Sequence, residues 1–148
     1  MLQYRYINLH RVIILTSYMF IVPMLGWLSA VIAKTIVNFV FAGRRNLHLS
    51  FANGGFPSAH TATVISAATY IGFYDNFSST AFLLAECMAF IVMIDATHLR
   101  RSLGRHAAIL NKLQGRDKLP EREGHTYFEV TGGFVFGFVV GYLCYLYI

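Results

Sequence analysis

Residues 124–148 read GHTYFEVTGGFVFGFVVGYLCYLYI. From Thr126 onward the run is apolar, with no charge after Glu129, and it has the ~20 residues a helix needs to cross a bilayer. Gly133, Gly137 and Gly141 recur every four residues, and positions four apart share one helical face. Glycines on such a face let a neighbouring helix approach closely. Carried backward, the same stripe reaches Glu129 and then His125. The carboxylate and the imidazole are therefore expected to point into a helix bundle, not toward lipid.

The rest of the chain agrees with a membrane setting. It has 148 residues, 56% of them hydrophobic and 13% charged, with a mean hydropathy of +0.53. A soluble domain would carry about a quarter charged residues. We read one integral membrane domain, 1–148, all-α, a polytopic bundle of about four transmembrane helices. The spans are expected at about 12–41, 57–74, 79–99 and 126–147, with Pro57 suited to a first helical position. The first span has no small-residue cleavage site after it and does not read as a signal peptide. Its length allows a kink at Pro23 or a tilt. The segments 43–56 and 100–124 are expected as polar loops. The net charge of +5 suggests anionic headgroups or phosphates and no nucleic acid. Cys87 and Cys144 lie inside apolar runs without metal-type spacing and read as buried thiols.

With four spans, ten of the twelve Lys and Arg residues fall on one face and only Arg5 and Arg11 on the other. The positive-inside rule puts that face in the cytoplasm, although basic residues retained for chemistry would produce the same bias.

Three polar motifs meet on that face. Gly54-Gly55-Phe56-Pro57-Ser58-Ala59-His60 joins a glycine turn to a helix start, where free N–H groups, the dipole and the Ser58 hydroxyl can cradle a phosphate. His60 there can donate a proton to a leaving oxygen. His125 and Glu129 are four apart, so the carboxylate can hold one ring nitrogen and leave the other as nucleophile. Asp95 precedes His98, Arg100 and Arg101 at the end of the third span. The arginines suit phosphate through their planar fork, and Asp95 can orient one of them or His98. Lys34 lies within the first span, where snorkelling to the interface and a phosphate contact are both open. Arg44 and Arg45 are candidate phosphate contacts for which juxtamembrane anchoring is the plainer role. Glu86 has no assigned role.

Pro57-Ser58-Ala59-His60 resembles the Pro-Ser-x-His motif of the type-2 phosphatidic acid phosphatases and vanadium haloperoxidases. The ordered set is more similar to the divergent branch of that superfamily, small bacterial and plant membrane proteins. That set is Gly54 to Ala62, Asp95-Ala96 with Arg100-Arg101, Leu110-Asn111-Lys112-Leu113, and Gly124-His125-Thr126 with Glu129-Val130 and Gly132. The resemblance covers roughly Lys34 to the C-terminus.

It implies a reduced phosphatase-like core and a lipid phosphate or diphosphate phosphatase acting through a phosphohistidine. His125 would be the nucleophile, His60 the proton donor and Glu129 the orienting carboxylate. Ser58, Gly55, Arg100, Arg101, Lys34, Arg44 and Arg45 would hold phosphate, with Asp95 in support. No metal and no cofactor are implied. The partners would be the lipid phosphate and membrane lipids, and a homo-oligomer is compatible.

Two departures stand out. The superfamily's first motif has Arg-Pro seven residues after its lysine, where this chain has Phe41. Its third motif has an arginine six residues before the nucleophile, where this chain has Leu119. The alternative function is a non-enzymatic protein that binds or translocates anionic lipid with the same basic pocket. A metal protein using His60, His98 and His125 is a third reading.

Overall fold

The computed structural model describes residues 19–42, 55–115, 119–121 and 123–148. All regular structure among them is helical. Helix α1 spans Ile21–Ala42, α2 Ala59–Tyr74, α3 Thr80–Gln114 and α4 Tyr127–Tyr147. Pro23 falls in the first turn of α1, where its missing N–H breaks little of the ladder. Residues 12–18 of the expected first span lie outside the described residues.

The helix starts follow from local chemistry. The α2 and α3 starts are capped by the Ser58 and Ser79 hydroxyls, which accept from Thr61 N and Phe82 N. Helix α4 opens with a capping box. Thr126 Oγ1 accepts from Glu129 N at 3.2 Å, and Glu129 Oε2 accepts from Thr126 N at 2.8 Å. This pair satisfies two N–H groups that the helix itself leaves open. Pro57 is not the first helical position; it precedes the Ser58 cap, because the Ser58 hydroxyl is the better helix starter.

Three of the helices, Ile21–Val40, Thr80–Gln114 and Tyr127–Tyr147, are long and apolar enough to cross a membrane. The 16-residue α2 sits among them. Bulky side chains such as Leu84, Phe90 and Val135 are exposed on the outside, as the lipid-facing surface of an integral membrane bundle requires. Cys87 is exposed and Cys144 buried, and both are free thiols.

The core is a packing of small residues around α2. A Cβ on Gly133 would meet Ser58 O at 2.5 Å, one on Gly137 would meet Ala62 O at 2.6 Å, and one on Gly141 would meet Ser66 O. The contacts advance by four residues on both helices at a constant offset, so α2 and α4 run parallel in register. Gly26 of α1 packs on the same two residues of α2, Ala62 and Ser66. With hardly any side chain between the backbones, α4 is fixed on α2 along its length. The same register carries Glu129 to the N-terminal end of α2.

The segment after Leu99 corrects the sequence reading. It is not a loop: helix α3 continues from Arg100 to Gln114 and stops at Gly115, whose φ of +64° suits a glycine. Its buried face is Gly104, Ala107 and Asn111. None of these is bulky and apolar; Leu103, Leu110 and Leu113, which do recur at helical spacing, are exposed, and the reading of a polar loop followed the charges of the segment and passed over that spacing. Asn111 clamps the returning chain. Its Nδ2 donates to Leu119 O and Glu121 Oε1, both at 2.9 Å, and its Oδ1 accepts from Leu119 N at 3.1 Å. Gly104 leaves room for the Glu121 carbonyl.

Within α3, Asp95–Leu99 form a π turn. The wider turn bonds Arg100 N to Asp95 O and stacks side chains five apart. Arg100 Nε accordingly donates to Asp95 Oδ2 at 2.6 Å. The turn also offers the Ala96 carbonyl sideways, where it accepts His125 N–H at 2.9 Å. Such turns inside α-helices recur at functional sites.

Candidate active site

His125 is held from three directions. Its backbone is fixed to Ala96 of the π turn. Gly124, at φ +81°, lets the chain pass close to Arg101 N and Ala96 O, where a Cβ would not fit. Its ring is 4% exposed, and Nδ1 lies 3.3 Å from Glu129 Oε2. That contact lacks the alignment of a hydrogen bond, and Nδ1 has no other partner.

Glu129 has partners beyond His125. Oε1 accepts from Gly55 N at 3.0 Å, and its backbone carbonyl accepts from Ser58 N at 3.0 Å. Together with its cap on Thr126, one residue ties the glycine turn, the α2 start and the α4 start into a single unit.

His60 stands in the first turn of α2, with its ring centroid 6.3 Å from that of His125 and the planes at 65°. Lys34 is 4% exposed, and its stem runs beside Gly55. A Cβ on Gly55 (φ +97°) would meet Lys34 Cε at 2.8 Å. The charges of Lys34, Arg100 and Asp95 all act on His60. Among the charges acting on His125 are those of Glu129 and Lys34. Burial pushes the His125 imidazole below its ordinary value; Glu129 pulls it up, and Lys34 and His60 add to the lowering.

Most of the candidate residues therefore converge. His60, His125, Glu129, Gly55, Lys34, Arg100 and Asp95 gather at one end of the bundle. Ser58 is there but fully buried. Its hydroxyl oxygen accepts from Thr61 N at 3.4 Å and Thr61 Oγ1 at 3.0 Å. The N–H groups of Ala59 and His60, which have no intrahelical acceptor at a helix start, are the open donors there. Arg101 lines, with Arg105, Glu121, His125 and Glu129, a cleft of ≈ 450 Å³. Arg44, Arg45, Gly54 and Arg122 lie outside the described residues.

His98 does not join the other two histidines. Its Nδ1 is 2.9 Å from Thr97 Oγ1 and its Nε2 is 3.3 Å from Tyr127 O–H. Among the described residues no three His, Cys, Asp or Glu side chains gather to hold a metal ion. The π turn and the Asn111 clamp are the parts the sequence reading did not find, although Asn111 belongs to a quoted motif.

Comparison with known proteins places this geometry in context. The chain is similar to the membrane protein YuiD of Bacillus subtilis (strain 168), described as uncharacterized. The two are 33% identical over 95 residues, which is 62% of this chain and 60% of the relative's length. No solved structure matches. A family model described as the Divergent PAP2 family matches residues 15–140, a stretch that includes every residue of the cluster just described, and the chain belongs to that family.

Proposed function

We propose that the protein hydrolyses a lipid phosphate or diphosphate through a phosphohistidine, as a divergent relative of the type-2 phosphatidic acid phosphatases and vanadium haloperoxidases. The observation that carries this reading is the pair of imidazoles with centroids 6.3 Å apart at a helix N-terminus. One phosphate can lie between rings at that separation, within hydrogen-bond reach of each.

In the first step Nε2 of His125 attacks phosphorus, the ester P–O bond breaks, and His60 gives its proton to the departing oxygen. In the second, His60 takes a proton from water, the hydroxide oxygen bonds to phosphorus, and the P–N bond breaks to release phosphate. Glu129 Oε2 supports the N–H at Nδ1 and so keeps the lone pair on Nε2. The first-turn N–H groups of α2, with Lys34 and Arg100, offset the charge that builds on the phosphoryl oxygens. The π turn supports this role for Arg100. It brings a cation beside His60 although the sequence lacks the arginine six residues before His125.

The test is turnover by purified protein in detergent on several lipid phosphates, with and without chelator. Inorganic phosphate release and an acid-labile phosphoprotein at His125 are expected. Tight binding of anionic lipid with no turnover and no phosphoprotein would instead establish the lipid-binding alternative.

We also propose that the site face is cytoplasmic, on the ten-to-two distribution of Lys and Arg. Gln114, exposed at the end of α3, is the probe. In a background with Cys87 and Cys144 replaced by alanine, Gln114→Cys should resist an impermeant maleimide in intact cells and react after lysis. Labelling in intact cells would reverse the topology.

A further inference from the structure

An apolar groove of ≈ 460 Å³ lies between α1 and α4 on the outer wall of the bundle. Three of its wall residues are chain neighbours of site residues. Ala33 precedes Lys34, Pro57 precedes Ser58, and Phe128 precedes Glu129. On three separate segments, then, the chain turns one side chain into the groove and the next toward the polar cluster. The groove is the direct apolar continuation of the site.

Its length fits a bilayer leaflet. Along α4 the wall runs from Phe128 to Val139, about 16 Å at about 1.5 Å per residue. That is half of a hydrocarbon core ~30 Å thick. Its walls are apolar along this whole length, so an extended hydrocarbon chain can lie against them without meeting a polar group. The upper end is shaped by Phe56, which stacks on Phe128 at 5.0 Å. Its ring packs where a Cβ on Gly132 would otherwise sit. An amphiphile with its phosphate between the histidines would leave the cluster along this wall.

We infer that the groove between α1 and α4 is the tail subsite for a hydrocarbon chain of the phosphate ester, so that the length of the substrate's chain is read along α4. This rests on the phosphatase reading.

Val135 and Val139 line the groove at successive depths on α4 and are exposed, so a larger side chain at either is not forced into the core. The experiment compares hexadecyl phosphate, octyl phosphate and p-nitrophenyl phosphate with wild type, Val135→Trp and Val139→Trp. Val135→Trp should lower the kcat/KM ratio of hexadecyl phosphate to p-nitrophenyl phosphate about tenfold, the usual scale of discrimination by an apolar pocket. Val139→Trp, lying deeper, should lower the hexadecyl ratio but spare octyl phosphate. An unchanged chain-length profile in both variants would overturn the subsite.

If wild type turns over none of the three esters, the phosphatase reading fails, and the groove is tested without turnover. A hexadecylphosphonate with a mid-chain diazirine should label Val37 and Val135 and be displaced by hexadecyl phosphate. Equal labelling by a diazirine phosphatidylcholine, or labelling elsewhere, would reduce the groove to ordinary lipid-facing surface.

Discussion

Replacing His125 by alanine should abolish turnover, by about 10⁴–10⁶-fold, because a covalent route has no substitute for its nucleophile. The fold should survive, since the bond from the backbone of residue 125 to Ala96 O does not need the ring. His60→Ala should respond to the leaving group instead. A proton donor matters most when the departing oxygen is basic, so p-nitrophenyl phosphate should partly rescue His60→Ala and leave His125→Ala dead. Equal dependence on the leaving group in both variants would show the two roles to be wrongly assigned.

Glu129→Gln completes the set. Its loss should be roughly tenfold to a hundredfold milder than that of His125→Ala, as for orienting carboxylates elsewhere. The pH profile separates its electrostatic from its structural work. Burial holds the folded His125 below the ordinary 6.5, while Glu129 opposes that lowering. A depressed imidazole pKa keeps the ring neutral and nucleophilic at pH 7, and activity is lost only as pH falls through the lowered value. Removing the Glu129 charge lowers the value again, so the acid limb of kcat/KM should move further to acid. A limb that stays in place would mean that Glu129 acts only through its bonds to Gly55 and Thr126.

The parts of this protein that were legible in the sequence are those built on periodicity. The glycine stripe of α4 announced its packing face, and the face brought His125 and Glu129 inward because a helix repeats every 3.6 residues. The start of α2 was readable to within two residues, at Pro57 in place of Ala59, but the capping by Ser58 was not part of that reading. What stayed hidden was interaction without bulk. The C-terminal half of α3 buries a glycine, an alanine and an asparagine, and Asn111 holds Leu119 and Glu121 by hydrogen bonds that no hydropathy pattern records. The π turn was equally silent: Asp95 and Arg100 are five apart, a spacing at which an ordinary helix would not stack them. Glu129 shows the limit from the other side. Its distance from His125 suggested one partner, while the fold gives it Gly55 and Thr126 as well.

The stripe makes a prediction of its own, remote from the chemistry. Gly137→Ala should lower both stability and turnover, although it lies eight residues beyond Glu129, about 12 Å along the helix. The new Cβ would stand 2.6 Å from Ala62 O and 2.9 Å from Ala62 Cα. Both are backbone atoms of a helix whose Ala62 carbonyl is also packed against Gly26 of α1, so neither can rotate away. Helix α4 must move off α2 instead. Overpacking of this kind costs about 1–3 kcal/mol, which a thermal melt in detergent would register. The same displacement separates His125, carried by α4, from His60, carried by α2. A misplacement of about 1 Å can cost on the order of 10²-fold in rate, so turnover should fall well before the protein unfolds. Leu146→Ala, at an exposed position on the same helix, should change neither. If Gly137→Ala melts and turns over like wild type, the close parallel packing of α2 and α4 does not set the distance between the two histidines.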